Sequence, residues 1–290
     1  DLTSGQDVAD RVLAGIGLAR IDLRRDETGT TLRNARVVTS AARIEAAGKI
    51  ASADTALRFD GVLSNLDQVF PGDADGAASL DGVVMFSGTT LRSLEMTADL
   101  SNQTDAVRLP IAGGILLGSG AVDVTATGGP SGTWRADITT TDIRAAQGSA
   151  NTLTLSGTGV LAQADSGALV SLGGELTVSS TSLRLSDSRL SQAVGSAPTV
   201  TSDFDWEQTP ERLTLKAVRL DTGSIDATGS AIVTDLLRAP DAQFALSLVA
   251  DTLAPLSGLA GQQLRGQAVI DVNGTYRNGG MFDVTASGQG

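Results

Sequence analysis

The chain has 290 residues, a net charge of −12, 41% hydrophobic residues, 3% aromatics, 34 glycines, and neither cysteine nor histidine. The acidic balance argues against nucleic-acid binding through neutralised phosphates and against simple adsorption to an anionic membrane surface. Without Cys or His the commonest nucleophiles, general bases and soft metal ligands are gone. The chain therefore reads as a non-enzyme with no cofactor and an aliphatic core.

Residues 6–17 place Val8, Val12, Leu13 and Ile16 at helical spacing, which predicts an amphipathic helix within 1–17. From Leu18 the period drops to two: Ile21 and Leu23 alternate with Asp22 and Arg24, and residues 32–44 continue as strand. Phe59 and then residues 62–70 read as a strand passing into a short helix stopped by Pro71, with a loop over 72–76. Val84 and Phe86 face Leu94, Met96, Ala98 and Leu100 across a hairpin at Gly88, and Val107, Leu109 and Ile111 follow. Val122, Val124 and Ala126 alternate between Gly120 and Gly128; Trp134 and Ile138 come after the turn at 128–130. Leu153, Leu155, Val160, Leu176, Val178, Leu183 and Leu185 take inward positions on short strands punctuated by glycine. Phe204, Trp206, Leu213, Leu215, Val218 and Leu220 extend the pattern, then Phe244, Leu246 and Leu248. Residues 253–260 suit one or two helical turns. Ala268, Ile270 and Val272 alternate next, Asn278-Gly279 signals a tight type I′ turn, and Phe282, Val284 and Ala286 return. Strands recurring roughly every 8–12 residues, with no long helices between them, predict an all-β fold.

Parts of this pattern repeat. Glycines 120 and 128 bracket three alternating apolar residues at the spacing of glycines 266 and 274, and each run leads to a Gly-rich turn and a strand bearing an aromatic. A looser copy runs from Phe59 through Pro71 to Leu80-Asp81-Gly82, matched by Phe244 through Pro255 to Leu264-Arg265-Gly266. Degenerate repeats near 59–100, 109–140 and 244–287 predict one continuous, elongated β segment over 1–290, with no break in composition. The outward positions are mostly Ser, Thr, Asn and Asp, so every strand has one wet and one apolar side. A closed sandwich would hide the apolar sides; a curled open sheet would leave a trough that needs a ligand or a lid. Periodicity fits both.

Two acidic stretches invite a calcium reading. Asp203, Asp205 and Glu207 share one side of a strand, but alternation with Phe204 and Trp206 already explains them. Asp73-Ala74-Asp75-Gly76 lacks the distal glutamate of a calcium loop.

The segment 253–261 followed by Leu264-Arg265-Gly266-Gln267-Ala268, together with residues 63–72 and Leu80-Asp81-Gly82, resembles the TamB family of the translocation and assembly module. That family is similar to the AsmA-like, bridge-like lipid-transfer proteins. The resemblance implies a periplasmic sheet curled into a U-shaped (taco-like) apolar groove with a few short helices. It implies phospholipid acyl chains moving between inner and outer membranes, an outer-membrane barrel partner of the TamA type, and a role in autotransporter and outer-membrane protein assembly. It offers no catalytic residues to carry over. The groove lining would fall on Val84, Phe86, Leu94, Met96, Val122, Val124, Ala126, Trp134, Ile138, Leu153, Leu155, Leu176, Val178, Leu183, Leu185, Phe204, Trp206, Leu213, Leu215, Phe244, Leu246, Leu248, Ala268, Ile270, Val272, Phe282 and Val284. The ends, Asp1-Leu2-Thr3-Ser4 and Gly288-Gln289-Gly290, read as those of an excised segment, with the inner-membrane anchor outside it. The competing expectation is a structural β-repeat stalk or adhesin with a closed core and no ligand.

Overall fold

A computed structural model describes the chain except residues 1–16, 28, 52–53, 69–73, 102–105, 111–113, 165, 236–240, 278–280 and 290, and the side chains of Leu259, Ala260, Met281 and Phe282. The expected helix in 1–17, the Pro71 stop, Ile111 and the Asn278-Gly279 turn lie outside the described residues. The fold is all-β: the described residues form nineteen antiparallel strands in open sheet, with short helical turns between some of them. Contacts gather into two compact units, residues 1–146 with 163–168, and residues 147–162 with 169–290.

In the first unit the strands are β1 (Leu18–Asp26), β2 (Gly29–Val38), β3 (Ala42–Ile50), β4 (Thr55–Leu63), β5 (Ala77–Ser87) and β6 (Thr90–Ser101), each pairing with the next. A short hairpin follows, β7 (Val107–Leu109) and β8 (Ile115–Leu117). β9 (Ser119–Thr127) returns to pair with β6, and β10 (Gly132–Ala145) pairs with β9 and, at its end, with β8. A 3-10 turn, Leu66–Gln68, links β4 to β5.

The second unit holds β11 (Gly148–Gln163), β12 (Leu169–Thr181), β13 (Arg184–Leu185), β14 (Thr199–Gln208), β15 (Glu211–Asp221), β16 (Ile225–Thr234), β17 (Asp241–Ala250), β18 (Ala268–Arg277) and β19 (Met281–Gln289). β12 pairs with β14, and from there each strand pairs with its successor out to β19. The hydroxyls of Thr154 and Ser179, 2.6 Å apart, tie β11 to β12, and the two-residue β13 pairs with the start of β11. Helix α1 (Ser188–Val194) is capped by Asp187, whose carboxylate accepts from the N–H groups of Arg189 and Leu190, and is ended by Gly195 at positive φ. A 3-10 turn, Ala254–Leu256, runs into α2 (Ser257–Ala260) between β17 and β18.

Several local expectations change. The single run expected over 32–44 is two strands, because the backbone turns at residues 39–41. There Thr39 Oγ1 accepts hydrogen bonds from the N–H groups of Ala41 and Ala42. Leu183 lies outside any strand: Ser182 has φ of 55°, a left-handed conformation that breaks the pleat, and Leu185 sits in β13. Val160 points outward and is 61% exposed, while its neighbour Leu161 is buried. Gly274 does not end a strand as Gly128 does but sits inside β18.

Candidate functional site: an apolar sheet face

Cross-strand register sorts the side chains into rows running perpendicular to the strands. In the first unit one row reads Ala46, Phe59, Gly82, Met96, Val124, Ala136, each the direct partner of the next on successive strands. The adjacent row on the same face reads Gly48, Leu57, Val84, Leu94, Ala126, Trp134, and the row on the other side reads Ile44, Gly61, Leu80, Ala98, Val122, Ile138. The second unit repeats the arrangement. Gly174, Phe204, Leu215, Ala231, Phe244, Gly274 and Val284 form one row; Leu172, Trp206, Leu213, Val233, Ala242, Tyr276 and the backbone of Phe282 form the next. Val178, Val200, Leu220, Ala227, Leu248, Ile270 and Gly288 make a third. The rows cross six strands in the first unit and seven in the second, so each unit presents one apolar face across them. The register is kept even through the β-bulges beside Phe204 and Val218.

Five and six inter-strand steps of about 4.8 Å give the two faces runs of roughly 24 Å and 29 Å across the strands. Each run is between about one and a half and two times the hydrocarbon depth of one leaflet, roughly 15 Å from a bilayer core of about 30 Å. With four inward residues per strand the faces cover roughly 600–700 Å², at or above the top of the 300–600 Å² of the largest apolar patch on an ordinary monomer. Most of their mid-strand side chains are half-buried, screened by row neighbours; Phe204 and Leu161 are buried, at 6% and 7% exposure. Leu153, at 37%, and Val284, at 51%, are exposed.

Fully packed clusters form only at one end of the strands among the described residues of each unit. In the first, Leu66 of the 3-10 turn and Val107 of β7, 1% and 0% exposed, join Ala78, Leu117 and Ala74 beneath Leu63, Leu100 and Ile143. In the second, Ala193 of α1 packs on Ile225 and Ala250, with Leu248, Leu253 and Leu256 around them. The helical turns thus close one margin of the apolar face and leave its middle without a second layer.

Two couples of ring and glycine hold the central rows flat. A Cβ on Gly82 would come within 2.8 Å of the Phe59 ring, and one on Gly274 within 2.5 Å of the Phe244 ring. Each phenylalanine therefore lies across the strand beside it instead of standing up from the sheet. These couples occupy the same place in two strand–turn–strand segments, β4–β5 and β17–β18. The match identifies Gly274, rather than Gly266, as the counterpart of Gly82.

The opposite faces are polar. In the first unit Glu45, Asp60, Asp81, Thr97, Asp123 and Asp137 lie in one row. Like charges directly across a ladder repel, and local partners offset this. Arg43 and Arg36 reach Glu45, Thr97 donates to Asp81 at 2.7 Å, and Arg135 pairs with Asp137 at 2.8 Å. The Arg43 hydrogen bond holds the Glu45 carboxyl below its usual range. A hollow of about 310 Å³ lies on this polar side, lined by Arg58, Asp81, Glu95 and Asp123. In the second unit Asp203, Asp205 and Glu207 point away from the apolar face, and Lys216 pairs with Asp205. Among the described residues no group of three His, Cys, Asp or Glu side chains is placed to hold a metal ion. No described helix is long and apolar enough to cross a membrane.

Of the proposed lining residues, the register brings Val84, Phe86, Leu94, Met96, Val122, Val124, Ala126, Trp134 and Ile138 onto one face of the first unit. It brings Leu176, Val178, Phe204, Trp206, Leu213, Leu215, Phe244, Leu246, Leu248, Ala268, Ile270, Val272 and Val284 onto one face of the second. Leu153 and Leu155 flank Thr154 and so lie on the side opposite its bond to Ser179. Leu183 and Leu185 belong to the α1 margin rather than to a row. Ile44, Leu57, Leu80, Leu172, Ala231 and Val233 line the faces but were not singled out; their alternation was legible. Helix α1 was not foreseen, although Asp187 and Gly195 are ordinary cap signals. Searches against family models, curated proteins and solved structures return no match to this chain.

Proposed function

We propose that the chain conducts phospholipid acyl chains along its apolar face. In this reading it is a segment of a TamB-like, AsmA-type protein of the Gram-negative periplasm, held to the inner membrane by an anchor outside it. It links inner and outer membranes, works with an outer-membrane barrel of the TamA type, and supports autotransporter and outer-membrane protein assembly. The observation that carries the proposal is the apolar face over six strands of the first unit and seven of the second, without a second layer on its middle among the described residues. A face that wide is costly in water, at about 25 cal/mol for each Å² of apolar surface, and acyl chains would cover it. The polar rows outside need no ligand. The test is mass spectrometry of the chain purified from a Gram-negative envelope. Phospholipid that stays through purification supports the proposal; a reproducibly empty, well-folded protein favours the closed structural stalk.

A further inference from the structure

The chain holds two tryptophans and one tyrosine, and all three lie on the apolar faces, toward the margin opposite the packed clusters. Trp134 is the third residue of β10, Trp206 the third from the end of β14, and Tyr276 the last but one of β18. In the first unit Trp134 belongs to the row of Leu94 and Ala126. In the second, Trp206 and Tyr276 share one row through Leu213, Val233 and Ala242. Three rings without a polar atom, Phe59, Phe204 and Phe244, stand one row further in. Beyond the aromatic row the second unit's face turns polar, with Gln208 opposite Glu211; in the first unit Thr55 stands there between Ile50 and Phe86. The distance from this row to the packed end is the same in both units, residues 94 to 100 on β6 and 242 to 248 on β17, where Leu100 and Leu248 join the clusters. At about 3.4 Å per residue that is roughly 20 Å, enough to hold the roughly 15 Å of hydrocarbon in one leaflet.

Tryptophan and tyrosine join an apolar ring to one polar atom and gather where hydrocarbon meets water. From their common level, and resting on the acyl-chain reading above, we infer that a phospholipid on either face lies along the strands in one direction. Its ester groups sit level with Trp134 in the first unit, or with Trp206 and Tyr276 in the second, and its methyl ends point at the packed margin. In this orientation hydrocarbon covers the aliphatic rows. The ester and phosphate oxygens, which are acceptors, come level with the indole N–H and phenol O–H donors, and the headgroup reaches water beyond them. The reverse orientation would press a charged headgroup against Leu100 or Leu248 and the packed side chains beside them, where a charge without a partner is costly. Rings held at the margin by water alone would leave the depth of a bound chain unfixed.

Tryptophan fluorescence reads that depth directly, because the chain has two tryptophans. The full chain is loaded from vesicles of phosphatidylcholine brominated either near the ester or near the methyl end of its acyl chains, then separated from the vesicles. Trp134→Phe leaves Trp206 as the reporter, and Trp206→Phe leaves Trp134; circular dichroism checks that both variants keep the fold. Heavy-atom quenching needs near contact, and the two bromine levels are separated by much of the roughly 15 Å leaflet depth, so near-ester bromines should quench each reporter at least about threefold more. A third reporter, Ile270→Trp added to the chain carrying both phenylalanine replacements, lies at the packed end and should show the reverse order. Leu220→Trp, in the same row, replaces it if residue 270 does not accommodate the ring. If neither lipid quenches any reporter, phospholipid does not occupy the faces, and the inference falls together with the reading beneath it. Quenching that is equal from both lipids, stronger from the methyl end at Trp134 and Trp206, or in the same order at the packed end would overturn the orientation while leaving lipid on the face.

Discussion

An arginine placed in the middle of an apolar row separates an open face from a closed core. Val124 stands between Met96 and Ala136 in its row, and Ile270 between Leu248 and Gly288. Both are half-buried. Full burial of such a side chain stabilises by about 1.5–3 kcal/mol, so half of that, roughly 1 kcal/mol, is at stake in the lost packing. On an open face the arginine stem covers the same neighbours and the guanidinium turns to water. The net cost of Val124→Arg or Ile270→Arg should then be about 1–2 kcal/mol. At roughly 2–4 °C per kcal/mol for a chain of this size, the melting temperature falls by about 2–8 °C. Beneath a second layer the charge would have no exit, and an uncompensated buried charge costs about 3–5 kcal/mol or more, a large share of a typical stability of about 5–15 kcal/mol. Circular dichroism melts measure the cost. Photo-crosslinkers at the same two positions, illuminated in the envelope, report whether acyl chains lie there. Folded arginine variants with impaired lipid transfer, and lipid adducts from the wild-type positions, are the expected results. Insoluble variants at both sites with no lipid adduct from either would refute the open face.

Further expectations follow from the packing and the caps. Gly274→Val should destabilise by about 1–3 kcal/mol by overpacking, and Phe244→Ala should restore much of it, because the ring is the nearest obstacle. Gly82→Val should be rescued less by Phe59→Ala, since the Glu95 carbonyl oxygen, 2.3 Å from where the new Cβ would stand, remains; paired chemical-denaturation curves compare the two. Leu66→Ala should cost about 2–5 kcal/mol in the same assay, because its side chain is 1% exposed in a packed cluster. Arg189, through its side chain and then its backbone N–H, holds the Asp187 carboxyl below its usual value. Its contribution to α1 is therefore present above the unfolded pKa near 3.9 and is lost as pH falls through the lower folded value. Amide exchange across residues 188–194 should quicken in that acid range in the wild type, and Asp187→Ala should abolish the pH step.

Much of the face was readable because a strand has a period of two, and each mid-strand aliphatic announces its side without knowledge of its partner. The same rule failed at Val160, where an apolar residue next to Leu161 gave two candidates for one inward place and only register decides between them. It failed at Leu183, where Ser182 breaks the pleat through a backbone conformation that serine seldom adopts and sequence does not declare. The split at residues 39–41 was hidden because threonine suits strands, and here its hydroxyl caps a turn instead. The Phe–Gly couples were visible as repeated letters, but pairing Phe244 with Gly266 by spacing chose the wrong glycine. What fixes the true partner is the cross-strand ladder, which lies outside local sequence.

These couples bear on how a sheet with so little buried core stays folded. Each strand is held mainly by the strands beside it, through its ladder and its share of three or four rows, so stability accumulates from neighbour to neighbour as in repeat proteins. The packed clusters around Leu66 with Val107 and around Ala193 with Ile225 anchor one margin, and nothing in that scheme requires the middle of the face to be covered. A glycine beneath a ring keeps that middle low, and most positions in the rows are aliphatic or glycine. Such a surface offers similar contacts at every strand. An acyl chain lying on it would meet little change in environment as it moves to the next strand, which suits passage better than capture.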